Sequence, residues 1–370
     1  DGIEEGKCTK EKLRLKLKNG YDAGSGIKSN TYTITKDGKE IEKEITEEKE
    51  IEEHGTYEIT VRTEDNAGHE ATRTYKITID KKGPQIKLKP DGNSEYAKQH
   101  KVKVEITEPE EESGVQEEKT KYIWVGYDPD KIETKEEMVN KIKQYVEEKI
   151  KENTEDKNTE EKANTENEEE TKEETPTQKQ ITKEEYIKML LKEEVIKELE
   201  QQGIYVEEGK AEEGVIATPE GKTGIYHLIV YGEDKLGNST MIISEMYKID
   251  NENPSKPEIE GTKKQIVGTK EEEVKYNGER TNKEVTVTAK NSKSQSGVDK
   301  YEVSYTKDEG KTWSNWEDAT VKEDQKGEIQ GKITIKDEGK TVVKFRSIAK
   351  LLDVTEEGKV AQETELISEE

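Results

Sequence analysis

Cysteine is nearly missing: Cys8 stands alone among 370 residues. No intrachain disulfide and no cysteine-based zinc site can form. Long apolar runs are missing too. No stretch of 18 or more apolar residues occurs, so no segment reads as a membrane-spanning helix. Positive charge is in deficit, 62 Lys and Arg against 87 Asp and Glu, for a net charge of −25. That balance repels a phosphate backbone and an anionic membrane surface, which argues against nucleic acid and against such membranes as partners. Apolar residues make up only 28% of the chain, against about 45–50% in ordinary soluble domains. Composition alone therefore leans toward disorder, because little apolar area is on hand to offset chain entropy.

Periodicity reverses that leaning. The segment Gly55-Thr-Tyr-Glu-Ile-Thr-Val-Arg-Thr-Glu-Asp65-Asn-Ala-Gly-His69 lies over Gly224-Ile-Tyr-His-Leu-Ile-Val-Tyr-Gly-Glu-Asp234-Lys-Leu-Gly-Asn238 with the same glycine-to-aspartate interval. Each copy leads into a strand-like run that ends in Asp and then Pro, Asp80 before Pro84 and Asp250 before Pro254. A worn third copy begins at Gly339, with Ala349 where the aspartate would fall. Upstream of each copy stands a Ser-Gly-Ile/Val step, at Ser25, Ser113 and Ser296. Within the runs the apolar residues alternate: Tyr57, Ile59, Val61; Tyr226, Leu228, Val230; Val343, Phe345. Alternation over short stretches predicts strands with one buried face and one wet face. Asp37-Gly38, Asp91-Gly92, Asn277-Gly278 and Glu309-Gly310 read as turns between them.

The pattern predicts an all-β chain of tandem Ig-like antiparallel β-sandwich modules over 1–82, 83–252 and 253–370, the first without its opening strand. The middle module carries a helical and low-complexity insertion over 128–210. Thr134-Lys-Glu-Glu137 and Thr182-Lys-Glu-Glu185 are capping boxes. They open helices expected over about 134–151, with Met138, Ile142, Val146 and Ile150 on one face, and about 183–202, with Ile187, Leu191, Val195 and Leu199 in line. Residues 152–180 between them hold no Ile, Leu, Val, Met or aromatic and read as a linker without fixed structure.

At this point the chain resembles the bacterial Ig-like repeat domains of Gram-positive surface and secreted proteins. Glu64-Asp-Asn-Ala-Gly-His69 is similar to that family's Asp-x-Ala-Gly-Asn step, with His69 in place of the usual Asn. Ile77-Thr-Ile-Asp-Lys-Lys-Gly-Pro84 is similar to its inter-module junction, and Gly310-Lys-Thr-Trp313 to a hairpin of a related repeat. The resemblance implies a stacked extracellular module, as a stalk, an adhesin segment or an accessory part of a secreted enzyme. The excerpt starts at Asp1 and carries no leader, which fits a piece of a longer secreted chain.

Signals for chemistry are weak. Gly221-Lys-Thr223, Gly310-Lys-Thr312 and Gly339-Lys-Thr341 end like phosphate loops but lack the earlier glycine and the following helix. The four histidines, His54, His69, His100 and His227, have no metal-binding spacing and are expected on solvent-facing strands and loops. No Gly-x-Ser-x-Gly elbow occurs, and no catalytic or cofactor-binding residue is assigned. Asp65, Asp80, Asp234 and Asp250 recur at turns and junctions. They read as turn caps or as Ca²⁺ ligands between modules, calcium being the one cofactor suggested. Trp313 and Trp316 read as exposed hairpin residues that could stack on a glycan, whereas Trp124 reads as core. The function expected is a non-catalytic structural or adhesive spacer, extracellular, with a protein or glycan ligand or only its neighbouring modules as partner. The alternatives are a carbohydrate-binding or accessory segment of a secreted hydrolase, and a helical docking element at 132–203.

Overall fold

The computed structural model describes residues 6–18, 20–163, 181–322, 328–354 and 360–370. The chain divides into two compact units, one of residues 1–88, 104–123 and 229–243, the other of 89–103, 124–228 and 244–370.

The first unit opens with a sandwich whose first strand, Cys8–Thr9, is present, which corrects the expectation of a missing one. Its strands are β1 (Cys8–Thr9), β2 (Leu13–Leu15), β3 (Ile27–Lys36), β4 (Lys39–Ile45), β5 (Lys49–Ile51), β6 (Gly55–Asp65) and β7 (Glu70–Ile79). One sheet has the order β1-β7-β6-β3-β4, and β2 pairs with β5 in the other. The β1–β7 contact is parallel and the rest antiparallel. A first strand laid parallel to the last, across from a sheet formed by the second and fifth, is an Ig-like arrangement. The alternating residues supply its core: Leu13, Tyr32, Ile34, Ile51, Tyr57, Ile59, Ile77 and Ile79 are all buried. Each such buried side chain contributes about 1.5–3 kcal/mol, and the set gathers the sparse apolar residues of this stretch into one core. The two tyrosine hydroxyls reach main-chain oxygens, Tyr32 to Glu47 at 2.8 Å and Tyr57 to Glu53 at 2.9 Å. Asp37 and Gly38 both take positive φ, 48° and 76°, so the β3–β4 hairpin turns on the two-residue geometry that the Asp-Gly pair predicts.

Strands β8 (Gln85–Lys89), β10 (Lys101–Thr107), β11 (Lys121–Tyr127) and β14 (Gly224–Glu233) pass from one unit into the other. Within the first unit, the end of β14 pairs antiparallel with β15 (Ser239–Ile243), from Ile229–Ile243 to Glu233–Ser239.

The second unit adds β9 (Asn93–Ala97), β12 (Ile204–Glu208), β13 (Val215–Ala217) and β16 (Tyr247–Ile249). The sheet order β12-β11-β14-β16-β9 is that of the first sandwich read in reverse, again with a parallel contact between β9 and β16, and the opposing sheet β13-β10-β8 adds β8 to a pair like β2 and β5. In this correspondence β11 and β12 stand where β3 and β4 stand. The insertion therefore occupies residues 128–203, in place of a two-residue turn. Ile204–Glu208, expected inside the insertion, is the strand that follows it.

The insertion holds α1 (Lys135–Ala163), α2 (Lys183–Leu190) and α3 (Glu193–Gln201). Two expectations are corrected. Helix α1 runs through 152–163, where the sequence predicts a linker; glutamate and lysine keep helix propensity there although no apolar stripe exists. Residues 164–180 of that linker lie outside the described residues. The second helix is broken: Leu191 caps α2, and Lys192 turns extended to start α3. The Thr182–Glu185 capping box is present. Helix α1 packs on α2, α2 on α3, and α3 on β12, burying Met138, Ile142, Val146, Ile187, Leu190, Val195 and Leu199.

The same unit ends in a further sandwich. One sheet has the order β18 (Lys270–Tyr276), β17 (Glu258–Val267), β19 (Val285–Lys290), β23 (Ile329–Ile335), β22 (Thr320–Lys322). The other has the order β21 (Glu317–Asp318), β20 (Lys300–Thr306), β24 (Val342–Val354), β25 (Val360–Ile367). Tyr301, Val303, Phe345 and Ala289 form its core. Among the described residues no helix is long and apolar enough to cross a membrane, which says nothing of strands.

Candidate cation centre

The repeated sequence steps become repeated hydrogen bonds. Asp234 follows β14, and its Oδ1 accepts the N–H groups of Leu236 and Asn238, both at 2.8 Å, while Oδ2 accepts from the Asn238 amide at 2.7 Å. Asp65 does the same after β6, accepting the N–H groups of Ala67 and His69 at 2.8 Å, with the His69 ring 2.9 Å from Oδ2. The His69 ring and these N–H groups hold the Asp65 carboxyl well below the usual carboxylate range. Asp65 is a turn cap at the surface and belongs to no metal-like group among the described residues.

The aspartates that close the last strands act alike. Asp80 Oδ2 accepts the main-chain N–H of Ser113 at 3.1 Å, and Asp250 Oδ2 accepts that of Ser296 at 2.9 Å. The Ser-Gly-Val step of one module is thereby fastened to the last strand of the module before it. Beyond this the two junctions diverge. Asp250 takes the hydroxyls of Ser294 at 2.8 Å and Ser296 at 2.7 Å on Oδ2, and the N–H of Glu252 at 3.2 Å on Oδ1. It is wholly buried, and neutral donors surround it.

Asp80 is also wholly buried, and so is Asp234, but here the neighbours are carboxylates. Asp80, Glu108 and Asp234 bring one ligand oxygen each within 4.8 Å of one another, inside the first unit. Glu108 follows directly on β10; its Oε2 accepts the N–H of Gly114 at 2.6 Å, whereas Oε1 is enclosed with no hydrogen-bond partner. Ser113 Oγ is enclosed without a partner as well. Burial, with Asp234 and Asp80 alongside, pushes the Glu108 carboxyl up to about 7. Burial and Asp80 also raise Glu112. A second group shares Asp80: His54 Nε2 lies 3.4 Å from Glu112 and Nδ1 lies 3.7 Å from Asp80. The Lys81 N–H donates to Nδ1 at 3.3 Å, which leaves Nε2 as the ring donor toward Glu112. Asp80, Glu108 and Asp234, by contrast, form an all-oxygen set of the kind that suits a hard divalent ion.

Of the four aspartates singled out in the sequence, Asp80 and Asp234 come together and Asp65 and Asp250 do not join them. Glu108 and Glu112 carry no mark in the sequence, because carboxylates are so abundant that position alone does not single one out; His54, expected to face solvent, is half-buried beside Glu112. A usable signal existed in the alignment of repeats. Counting back from the Ser-Gly-Val step, Glu108 faces Asn291 and Glu112 faces Gln295. Matching hydrogen bonds, Gln116 N–H to Glu233 O and Asp299 N–H to Ile348 O, place Ala349 opposite Asp234.

The remaining candidates resolve differently. Trp313 and Trp316 are half-buried. Lys344 Nζ sits 4.3 Å from the centre of the first ring, and the Arg346 guanidinium 4.4 Å from the second. Cations from alternate positions of β24 thus cover one face of each indole. The expectation of solvent-facing histidines fails for His100 and His227, each 1% exposed: His100, just before β10, places Nε2 2.9 Å from the Lys248 carbonyl oxygen, and His227, on the face of β14 opposite Tyr226 and Leu228, is covered there and stacks on Tyr127. An open cleft of about 950 Å³ in the second unit is lined by Asp130, Glu252, Glu258, Asn291 and Glu328, and its aromatic, Tyr301, is buried in the core.

Strand order and the fastened Ser-Gly-Val steps define a tandem set of Ig-like β-sandwich domains with a helical insertion. No known family profile matches the chain, and no curated protein matches it in sequence. Among solved structures it is similar to the chicken CNTN1 FN1-FN3 domains, at 13% identity and a TM-score of 0.24, covering 100% of this chain and 98% of that one. It is similar to a 1.5-MDa bacterial ice-binding adhesin at 8% identity and a TM-score of 0.23, over 92% and 85% of the two chains. A third is SGBP-B of Bacteroides ovatus in complex with a mixed-linkage heptasaccharide, at 12% identity and a TM-score of 0.17, over 100% and 66%. Scores this low add nothing to what the strand order shows.

Proposed function

We propose that the chain is a non-catalytic structural and adhesive spacer of a bacterial cell-surface or secreted protein, of the kind found in Gram-positive bacteria. The observation that supports this reading is the repeated fastening, Asp80 to Ser113 and Asp250 to Ser296. A repeated head-to-tail bond costs buried carboxylates and makes sense where modules must stay joined. The acidic outer faces keep such a segment soluble and apart from anionic surfaces. The helices of the insertion spend their apolar faces on one another and on β12, which favours a built-in cap over a docking helix awaiting a partner.

The carbohydrate-binding reading has a specific observation in its favour: Trp313 and Trp316 both stay partly open to solvent near one hairpin. Titrating the intact chain with soluble polysaccharides, read by tryptophan fluorescence, separates the two. The spacer reading expects no saturable change. A saturable quench that disappears in Trp313→Ala or Trp316→Ala replaces it with the carbohydrate-binding one.

A further inference from the structure

We infer that Asp80, Glu108 and Asp234 bind one hard divalent cation of the Ca²⁺ class, with the Ser113 hydroxyl as an additional oxygen ligand. The ligand set is all oxygen, from three carboxylates whose oxygens approach within 4.8 Å. Ca²⁺ accepts six to eight oxygens in flexible geometry, whereas Mg²⁺ demands a stricter octahedron, and irregularly placed side chains with water suit the former.

Carboxylates in a cluster do not by themselves make a site. Here two enclosed oxygens, Glu108 Oε1 and Ser113 Oγ, have no hydrogen-bond partner in the same small region. Buried polar atoms are seldom left so. The second junction provides the internal control. On the same backbone frame, Ser296 turns its hydroxyl onto Asp250 at 2.7 Å and Ser294 adds another at 2.8 Å. The counterparts of Glu108 and Asp234 there are Asn291 and Ala349. Fastening two modules therefore needs neither carboxylate. What the pair adds at the first junction is negative charge in an enclosed space, which a divalent cation balances. The Leu236 and Asn238 bonds hold Asp234 in orientation, as second contacts around a metal do. His54 lies against Glu112 on the other group that shares Asp80, so the trio keeps its oxygen-only character. A bound ion would tie together the end of β7, the loop after β10 and the turn after β14.

The test uses the intact chain at constant ionic strength, with calorimetric titration of CaCl₂ and thermal unfolding in EDTA or CaCl₂. Binding of one ion with a dissociation constant of about 10⁻³ M or tighter is expected, in the range of extracellular modules, with a rise in Tm. Glu108→Gln should raise Tm in EDTA, by removing a like charge, and should abolish the response to calcium. Asp234→Asn, which keeps its turn acceptor, should also lose the response. Asp250→Asn should lower Tm yet leave the calcium response whole. Absence of heat and of any Tm shift up to about 10 mM, beyond the affinity range of such sites, overturns the inference. A calcium response of equal size in Glu108→Gln and Asp234→Asn overturns it as well, because diffuse screening of the acidic surface would then explain the shift.

Discussion

Ser296 gives Asp250 both its main-chain N–H, at 2.9 Å, and its hydroxyl, at 2.7 Å. With the carboxylate replaced by a methyl group in Asp250→Ala, these donors and that of Ser294 lose a buried acceptor. Leaving buried donors unpaired costs about 1–3 kcal/mol for each group, reduced where a hydroxyl can rotate away. We expect about 2–4 kcal/mol in total. Hydrogen exchange at the Ser296 amide should speed up by roughly 30-fold or more, and Asp250→Asn should show a smaller effect. An unchanged exchange rate would mean that the bond contributes nothing to the junction.

Gly83 runs so close to the next module that an added Cβ would lie 2.4 Å from the carbonyl carbon of Ser239 and 2.7 Å from the nitrogen of Thr240. Main chain cannot move aside as a side-chain tip can. Gly83→Ala should destabilise the first junction by about 1–3 kcal/mol. The expected readout is faster proteolysis at Lys81 and Lys82, with exchange in the β3–β6 ladder unaffected.

His227 supplies a pH dependence. Burial lowers its pKa below the ordinary 6.5, against a carbonyl of Ser244 that accepts from Nδ1 at 3.0 Å and with the Lys135 charge nearby. Between the folded value and 6.5 the unfolded chain binds the extra proton, so unfolding free energy rises with pH across that interval. The stabilisation is fully present above 6.5 and is lost as pH falls through the folded value. His227→Phe, which can keep the stack on Tyr127, should flatten this part of the profile. Thermal unfolding from pH 5 to 7.5 in both proteins gives the difference, at most about 1.4 kcal/mol per pH unit. A slope that is identical in the two proteins removes His227 as the cause.

Leu190 and Leu191 test the break between α2 and α3. Leu190 is fully buried, and Leu191 is the half-exposed cap. Leu190→Ala should cost about 2–5 kcal/mol and Leu191→Ala well under half of that. A continuous helix with Leu191 in the apolar line would reverse the order.

These leucines also mark where sequence reading stops. Two-residue alternation in Tyr57-x-Ile59 or Tyr226-x-Leu228 has a direct physical cause, one buried sheet face, so strands and sandwich class were legible. The Thr182 capping box was legible because it is a local hydrogen-bond pattern. The break at Lys192 was not, because Ile187, Leu191, Val195 and Leu199 satisfy helical spacing whether or not the backbone is continuous. For the cluster, Asp80 and Asp234 stood out through repetition. Glu108 did not, since its role depends on a loop that folds back onto a strand closed by Asp80, and no local pattern encodes that approach.

The segment between β11 and β12 begins and ends at neighbouring points, with the Asp128 N–H donating to the Gly203 carbonyl at 3.0 Å. In the first sandwich Asp37 and Gly38 alone cover the same gap. A loop whose two feet stand side by side can grow or be cut out while every strand keeps its partners. A two-residue graft across 128–203 should therefore leave a plain repeat unit, and by the same reasoning the β3–β4 turn is the place where foreign cargo could be spliced into the first.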